Sequence, residues 1–514
     1  MIIFRGDIIR TFYKTVAIVT IFSMAEKFLG FIYRIFLSRT IGAEGVGIYQ
    51  IALSIFAVLL TISCSGTPIT VSRLMLKYRS QNNKKREQSV ITAGIVLSLI
   101  ISLPISAVLF FAHDFFDFLF TDSQCMSVFL IVLPALSINC VYAVLRGVFW
   151  GNKDFLPYSI IELIEEIVMI IAGILLISNA TSVFDGAKRA GFAVFLSYVC
   201  SFLIGVIVFI VRGGKLKNPK NEFSPLLSSA LPITAMRTAS SVINSLVSVI
   251  LPLRLVASGL TGAEAVAVFG SAYGMAIPLL FAPTTLIGSF VLVLVPEISE
   301  NFYRKNKNAL KNDIEKAVKL CVFTACMIIP LFTVLGEEIG LLIFGDATCG
   351  NYLSHSSLLM LPMAISSLTT SILNSMGFEK QTLFYYVIGA IFMLICIWFL
   401  PQFVGIYSLI IGFALVFGIT TILNLLLINK KSNISPDYAK FILLSVLFCV
   451  PSVILGILTE NLLINYLGNL LTLLITGAIT IVFNGLLYVI FGLVDANKVL
   501  LPILNKMRKK SKNA

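Results

Sequence analysis

The sequence is short of charge, of histidine and of paired cysteines. Only 12% of its 514 residues are Asp, Glu, Lys or Arg, about half of the ~25% that soluble domains carry. Two histidines, His113 and His355, and nine cysteines without a C-x-x-C pair argue against a zinc or disulfide site, so we expect no metal and no cofactor. What remains is apolar, with 58% hydrophobic residues and a mean hydropathy of +0.98. A soluble fold has too little interior for that much apolar surface, so the composition predicts an all-α polytopic membrane protein.

Apolar stretches long enough to cross a bilayer recur along the whole chain. A transmembrane helix needs about 20 apolar residues to cross ~30 Å of hydrocarbon. Such stretches lie at residues 15–38, 45–66, 87–111, 125–149, 157–177, 190–211, 229–256, 263–295, 316–335, 354–376, 382–400, 404–428, 440–459 and 467–492. We therefore expect 14 transmembrane helices, joined by connections too short for a soluble catalytic domain. In the basic connection 67–86, a surface helix and a plain linker are equally good interpretations.

The basic residues are concentrated on one side of the predicted bundle. An even number of spans puts both termini on the same side. The N-terminal segment, the even-numbered connections and the tail hold most of the 38 Lys and Arg residues, and the positive-inside rule then predicts that both termini are cytoplasmic. The net charge of +13 thus indicates topology and contact with anionic membrane lipid at the cytoplasmic face, with no nucleic-acid partner.

Two stretches of the sequence share the pattern R-x3-S-x3-G-A-E-x-V. They lie at 34–46 and 254–266, at the ends of the first and seventh spans. This spacing predicts two parallel six-helix repeats plus two C-terminal helices, because six is an even number of crossings. We expect an N-terminal lobe at 1–220, a C-terminal lobe at 221–430, and the two additional helices with a basic tail at 431–514. Parallel halves around a midplane cavity are typical of transporters.

Several predicted spans carry charged or polar side chains on one face. A charge at mid-bilayer costs at least ~2.5–3.5 kcal/mol unless it has a partner or a wet cavity. Spans 1 and 7 supply the substrate-cavity candidates, which are Lys27, Arg34, Arg237, Asn244 and Arg254. Spans 1 and 5 supply carboxylates that we interpret as coupling or ion-pair groups, namely Glu26, Glu162, Glu165 and Glu166. The alternative is ion pairing that only fixes helix packing, such as Lys27 with Glu165.

Four arginines near the ends of their segments have more specific interpretations. Arg34 and Arg254 occupy matching positions in the repeated pattern, near the outer ends of their spans. Their placement predicts a paired anion clamp at the outer mouth of the cavity, and snorkelling to the outer surface is the alternative. Arg73 and Arg146 lie towards the cytoplasmic side, where we expect a gate.

Three short segments resemble a known family of transporters. They are Gly42-Ala43-Glu44-Gly45-Val46-Gly47-Ile48-Tyr49-Gln50, Gly66-Thr67-Pro68 and Arg146-Gly147. With the arrangement of six, six and two spans, they resemble the polysaccharide-transport, stage V sporulation protein B-like branch of the multidrug/oligosaccharidyl-lipid/polysaccharide (MOP, MATE-like) exporter superfamily. Members of that branch continue on span 5 with Gln, then Glu-Gln, then Arg. The matching residues here are Glu162, Glu165-Glu166 and Met169, so only Glu165 agrees.

The resemblance implies a flippase of the bacterial cell membrane. Its partner would be a lipid-linked anionic glycan, an undecaprenyl-diphosphate sugar or peptidoglycan precursor, moved from the inner to the outer leaflet by a protein that we expect to be a monomer. A multidrug or cation antiporter of the same fold is the runner-up, because span 5 is acidic. A non-transporting protein of cell-wall or spore assembly stays open. We do not expect a membrane enzyme, because its catalytic candidates would be limited to Asp114, Asp117 and Asp122 in one short loop.

Overall fold

The computed structural model describes residues 2–434, 437–463 and 468–493, with side chains from residue 19 onward except at 119, 285, 286, 288–293 and 296. All regular structure within these ranges is helical. The basic side chains near the two ends of the chain, from Arg5 to Lys14 and from Lys498 to Lys512, lie outside this description.

Helices follow one another along the chain with short connections. The first nine are α1 (Ile2–Cys64), α2 (Thr67–Ser80), α3 (Lys84–Phe111), α4 (Ser123–Val132), α5 (Ala135–Gly151), α6 (Phe155–Ile177), α7 (Val183–Val211), α8 (Phe223–Ala257) and α9 (Gly262–Phe269). A π-helical turn (Gly270–Ala276) follows α9. The remaining α-helices are α10 (Ile277–Phe281), α11 (Thr284–Tyr303), α12 (Lys307–Phe344), α13 (Ala347–Ser356), α14 (Met360–Ser375), α15 (Glu379–Phe399), α16 (Pro401–Val404), α17 (Ser408–Ser432), α18 (Ala439–Leu463) and α19 (Asn469–Ile490).

Most of these helices are long and apolar enough to span a membrane. Within the described ranges 11 segments qualify, or 12 if α4 and α5, which meet at 44°, form one span. One of these segments, Val19–Ser80, contains most of the first predicted span, all of the second and α2, because the two helical segments of α1 are joined at a kink at Gly42 without a loop. The protein is therefore a multi-pass membrane protein with an all-helical fold. The count of 14 helices and the two-repeat arrangement stay predictions.

Two predicted spans differ from a simple apolar helix. α6 has three glutamates within 23 residues, so it carries more charge than an ordinary lipid-facing span. The stretch 263–295, predicted as one span, is divided into α9, the π-helical turn, α10 and α11. Pro278 and Pro283 lie at the starts of α10 and α11. Proline lacks a backbone N–H, which a helix tolerates in its first turn but not in its interior, so the two prolines coincide with the starts of new helices.

The chain divides into two compact units. The first consists of Met1–Met275 with Ile397–Ile406, and the second of Ala276–Cys396 with Tyr407–Ala514. In the first unit α1 contacts α6, α7, α8 and α9, and in the second α12 contacts α13, α14, α18 and α19. Every predicted site residue belongs to the first unit. The lobes 1–220, 221–430 and 431–514 follow the repeat rather than these units, and they stay predictions.

The connection at 67–86 contains a helix, α2, rather than a plain linker. Pro68 fits in the first turn of α2 because a backbone N–H at that position would have no carbonyl partner within the helix, so proline loses no hydrogen bond there. One face is buried and has the spacing of an amphipathic helix, with Val71, Leu74, Met75 and Tyr78. These side chains share a core cluster with Tyr142 and Phe149 of α5, while Arg73 and Lys77 are exposed. Each such apolar side chain contributes about 1.5–3 kcal/mol when it is removed from water.

Candidate functional site

The acidic face of α6 packs against α1. Glu162, Glu165 and Glu166 are three and four residues apart, which places them on one side of the helix. Glu166 reaches Gly30 of α1, and its Oε1 lies 2.8 Å from the position that a Cβ would occupy there. Glu26, one turn earlier on α1, is close enough to Glu162 and Glu166 for their charges to interact. The two helices therefore gather four carboxylates at one place.

Arg146 of α5 forms an ion pair with this acidic cluster. Its Nη1 lies 3.7 Å from Glu162 Oε1, and the Tyr142 hydroxyl donates a hydrogen bond of 3.1 Å to the same oxygen. The guanidinium carbon also lies 5.7 Å from the centre of the Trp150 ring. Tyr142, Arg146 and Trp150 are successive positions four residues apart, so one face of α5 supplies the hydroxyl, the charge and the aromatic surface.

The ion pair suggested by the sequence, Lys27 with Glu165, differs from the pair that forms. Lys27 is exposed, whereas Glu165 lies beside Ser201 of α7. The sequence missed Arg146 as the partner because the residue belongs to α5, and no spacing rule links that helix to α6.

Among the described residues, no group of three or more His, Cys, Asp or Glu side chains is arranged to hold a metal ion.

The polar face of α8 lies against the break between α1 and α2. Arg237 Nη1 donates to the carbonyl oxygen of Ser65 at 3.3 Å. One turn earlier, Thr234 Oγ1 accepts a 3.1 Å hydrogen bond from the backbone N–H of Gly66, and Thr61 bonds Ser241 at 3.3 Å. This break leaves backbone groups without helical partners, and α8 supplies the polar side chains that bind them.

The polar face of α8 also carries exposed side chains in mid-helix. Arg237 and Asn244 are both exposed, although their helix is apolar enough to span a membrane. Lys27 has the same character on α1, where it is exposed within an apolar segment. The sequence brought these three residues into one predicted cavity, and a role in substrate binding stays a prediction for each of them.

The two arginines of the repeated pattern bind backbone carbonyls. Arg34 Nη1 donates to the carbonyl oxygen of Gly274 at 2.5 Å. Arg254 Nε donates to the carbonyl oxygen of Trp398 at 2.7 Å, and its guanidinium carbon lies 5.0 Å from the Trp398 ring centre. The structure does not bring the two arginines to a common partner, and the anion clamp predicted for them stays a prediction. Arg73 is exposed on α2, and a gate formed by Arg73 and Arg146 likewise remains a prediction.

A buried carboxylate that the sequence did not single out lies at the start of α8. Glu222 is only 1% exposed, and its Oε1 accepts a 2.6 Å hydrogen bond from Arg86 Nε. Arg86 in turn donates to the Tyr78 hydroxyl at 2.8 Å. The partners are far apart in the sequence, so neither composition nor periodicity indicates the pair. The ion pair joins α3 to the connection before α8. This part of the first unit is the end where basic residues are concentrated.

Comparison with known families identifies the chain. Residues 12–302 match the family model of the polysaccharide biosynthesis protein family, and this range contains every site residue described above. The chain belongs to the polysaccharide biosynthesis protein family. It is thus a member of the polysaccharide branch of the MOP exporter superfamily, as the resemblance predicted.

Individual relatives extend over most of the chain. Stage V sporulation protein B of Bacillus subtilis (strain 168) is 24% identical over 398 residues, which cover 74% of this chain and 76% of that protein. Lipid II flippase MurJ of the same organism is 22% identical over 474 residues, 86% of each protein. The proteins that this family member resembles are flippases and transporters rather than enzymes.

Solved structures share the fold. The inward closed conformation of lipid II flippase MurJ superposes with a TM-score of 0.71 and 18% identity over 94% of this chain and all of that one. The inward-facing conformation of a MATE family multidrug resistance transporter of the MOP superfamily gives a TM-score of 0.65 and 15% identity, covering 80% of this chain and 96% of that one. The family member therefore has a MurJ- and MATE-like fold.

Proposed function

We propose that the protein is a flippase that moves a lipid-linked anionic oligosaccharide from the inner to the outer leaflet by alternating access. The observation that carries this proposal is the exposure of Lys27 and Arg237 in the middle of apolar helices. An exposed charge facing hydrocarbon costs at least ~2.5–3.5 kcal/mol. A water-filled cavity that receives an anionic head group removes this cost and places both cations beside an opposite charge.

The chemistry of the cargo follows from the cavity charge. A guanidinium group binds phosphate oxygens through two parallel N–H donors, and an ammonium group binds them as a point charge. An undecaprenyl-diphosphate sugar or a peptidoglycan precursor offers two adjacent phosphates and a neutral, hydroxyl-rich sugar. Exposed Asn244, two turns beyond Arg237 on α8, suits the sugar because its amide both donates and accepts hydrogen bonds.

The driving force depends on the orientation that we propose. Both termini are cytoplasmic and the protein lies in the cell membrane, because the basic connections cluster on one side. An inside-negative potential then favours export of an anion by about 2.3 kcal/mol per charge per 100 mV. A monomer is sufficient for this scheme, with anionic lipid at the cytoplasmic face. The printed function of the MurJ relative, a lipid II flippase, supports the same class of cargo, and the stage V sporulation relative supports a role in sporulation.

A cation antiporter of the same fold is a second candidate, and one observation favours it. Glu26, Glu162, Glu165 and Glu166 lie close enough for their charges to interact, with Arg146 as their cation. Carboxylates within a bundle are suited to binding protons or cationic cargo. In the flippase that we propose, the same cluster couples or stabilises the bundle while Lys27 and Arg237 hold the cargo.

Depletion of the protein tests the flippase proposal in cells whose precursor export depends on it. Lipid-linked precursors are labelled from the outside with a membrane-impermeant reagent, and we expect the labelled fraction to fall on depletion. Arg237→Ala should fail to restore it although the variant reaches the membrane, whereas Lys84→Ala, an exposed lysine at the start of α3, should restore it fully. Unchanged outer-leaflet labelling on depletion would contradict the proposal, and so would full rescue by Arg237→Ala.

A further inference from the structure

A cavity between α6 and α7 is the feature of the first unit that the transport proposal does not use. Its volume is about 660 Å³, within the range of small-molecule sites. The N-terminal turns of α6 and the C-terminal turns of α7 line it. It therefore lies at the level of the connections rather than at mid-helix, apart from the cluster of Arg146 and Glu162.

The wall of this cavity is apolar and accessible. Leu156, Ile207 and Val211 line it, and they are 48%, 59% and 80% exposed. Large apolar side chains at such exposure in a membrane protein face lipid. The cavity is thus a groove that takes a hydrocarbon chain, since a polar solute would find few hydrogen-bond partners on its sides.

The mouth of the groove is basic. Lys153 and Arg212 line it together with Asp154, and Arg212 Nη1 is paired with Asp154 Oδ2 at 2.5 Å. Lys153 is exposed and adopts a left-handed backbone conformation, with φ of 61°. The pair leaves the lysine ammonium as the net charge at the mouth, next to the basic segment that follows α7.

We propose that this groove binds an anionic glycerophospholipid of the inner leaflet. One acyl chain lies between α6 and α7, and the head-group phosphate is held by Lys153 and Arg212. Basic pockets between transmembrane helices on the cytoplasmic side have the chemistry that anionic head groups need. A zwitterionic lipid offers the same chains without the net charge, so the charge at the mouth selects phosphatidylglycerol over phosphatidylcholine. The inference uses the proposed orientation, and it is independent of whether the protein moves a glycan.

Photocrosslinking of the full-length protein in detergent locates the lipid. The probe is phosphatidylglycerol with a photoreactive acyl chain, and we expect adducts within 153–161 and 204–212. Phosphatidylcholine with the same chains should label these segments several-fold less. Equal labelling by both lipids, or adducts outside both segments, would overturn the proposal. Excess undecaprenyl diphosphate should leave the labelling unchanged. If undecaprenyl diphosphate abolishes the labelling, the groove binds a polyprenyl cargo instead and the proposal is overturned.

Matched variants separate the head-group contact from the groove itself. Lys153→Asn removes the charge and keeps the left-handed backbone, which Asn tolerates. We expect about fivefold weaker retention of phosphatidylglycerol in native mass spectrometry, since one basic residue near a membrane surface contributes about 1 kcal/mol. Lys77→Asn, an exposed lysine on α2, is the charge-matched control and should change nothing. Equal losses in the two variants would contradict a specific site.

Filling the groove tests the acyl-chain contact separately. Ile207→Trp places a larger side chain inside the lining, and we expect the crosslinks to both segments to disappear. Ile210 is on the same helix, is 63% exposed and lies outside the lining. The Ile210→Trp variant is therefore the control, and we expect it to be crosslinked as strongly as the unmodified protein. Unreduced labelling of the Ile207→Trp variant would overturn the assignment.

Discussion

The pattern R-x3-S-x3-G-A-E-x-V occurs at residues 34–46 and again at 254–266, and the two copies fold differently. In the first, two helical segments of α1 meet directly at Gly42, whose φ of 66° and ψ of −173° are not helical. In the second, α8 ends at Ala257 and α9 starts at Gly262. The shared glycine is therefore the junction of two helical segments in the first copy, and in the second it is the first helical residue after a short connection.

Two positions that differ between the copies account for this contrast. Gly259, with φ of 113°, stands where the first copy has Arg39, and glycine adopts such a conformation without steric cost. Thr261 stands where the first copy has Ile41. Thr261 and Glu264 form a capping box, with the Glu264 N–H donating to Thr261 Oγ1 at 3.3 Å and the Thr261 N–H donating to Glu264 Oε2 at 2.9 Å. Isoleucine has no such acceptor, and Ile41 is buried instead.

The arginines of the two copies act alike in spite of this difference. Arg34 binds the carbonyl oxygen of Gly274, within the π-helical turn, and Arg254 binds that of Trp398, in the last turn of α15. Carbonyls at helix ends and irregular turns have poor or no intrahelical partners. Each copy thus places a guanidinium group where a neighbouring helix has a carbonyl to satisfy. The arginine position therefore makes the same kind of contact in both copies, although their backbones differ.

The largest effect is expected where the two copies cross. Gly270, just after the second copy, lies so close to Ala43 of the first that a Cβ would collide with its carbonyl oxygen, and Gly47 is equally tight against Val266. Gly270→Val should abolish or nearly abolish monodisperse protein in detergent, because backbone cannot yield as a side chain does and the cost exceeds the ~1–3 kcal/mol of ordinary overpacking. Gly262→Val, whose nearest neighbour is 4.0 Å away, is the control. Similar yields of both variants would show that the crossing is not tight.

A smaller effect separates the two shared glycines themselves. The dihedral angles of Gly42 lie in a region that is open essentially only to glycine, so Gly42→Ala should destabilise the protein by about 1–3 kcal/mol. Gly262→Ala should change stability little, because alanine suits the first turn of a helix. Thermal unfolding in detergent, followed by intrinsic fluorescence, compares the two variants. Equal melting temperatures for both would contradict the different roles assigned to the glycines.

The arginines of the two copies provide the last comparison, which includes the smallest effect. Arg34→Gln should destabilise the protein by about 1.5–3 kcal/mol, the range for a hydrogen bond from a charged group, since Arg34 is half-buried. Arg254→Gln should cost less, about 0.5–1 kcal/mol, because its contact with the exposed Trp398 is largely solvated. The same thermal unfolding measurement compares the two variants. A larger loss of stability for Arg254→Gln than for Arg34→Gln would contradict this prediction.

Much of the fold was predictable from composition and spacing. The apolar runs predicted an all-helical membrane protein, and the faces formed by Glu162, Glu165 and Glu166 and by Arg237 and Asn244 follow from helical periodicity alone. The resemblance carried by residues 42–50 indicated the superfamily to which the chain belongs. These features depend on neighbours within one helix, which is why the sequence contains them.

The partners of the charged groups were not predictable in the same way. Arg146 pairs with Glu162, and Arg86 with Glu222, across helices whose relative rotation no local pattern specifies. The π-helical turn after α9 was not predicted either; it begins at Gly270, where the chain passes close to Ala43. The longer break in the second copy was in principle visible at Gly259 and Thr261, since glycine signals the end of a helix and a threonine three residues before a glutamate signals the start of the next one.

Transport of a lipid-linked sugar by the reconstituted protein tests the central claim most directly. Proteoliposomes carry a fluorescent undecaprenyl-diphosphate sugar, and an impermeant reductant quenches only the outer-leaflet label. We expect the full-length protein to expose the inner pool, Arg237→Ala and Lys27→Ala to slow this at least tenfold, and Lys84→Ala to match the unmodified protein. A protein that moves a fluorescent cation but no lipid-linked sugar, or that moves neither, would contradict the account.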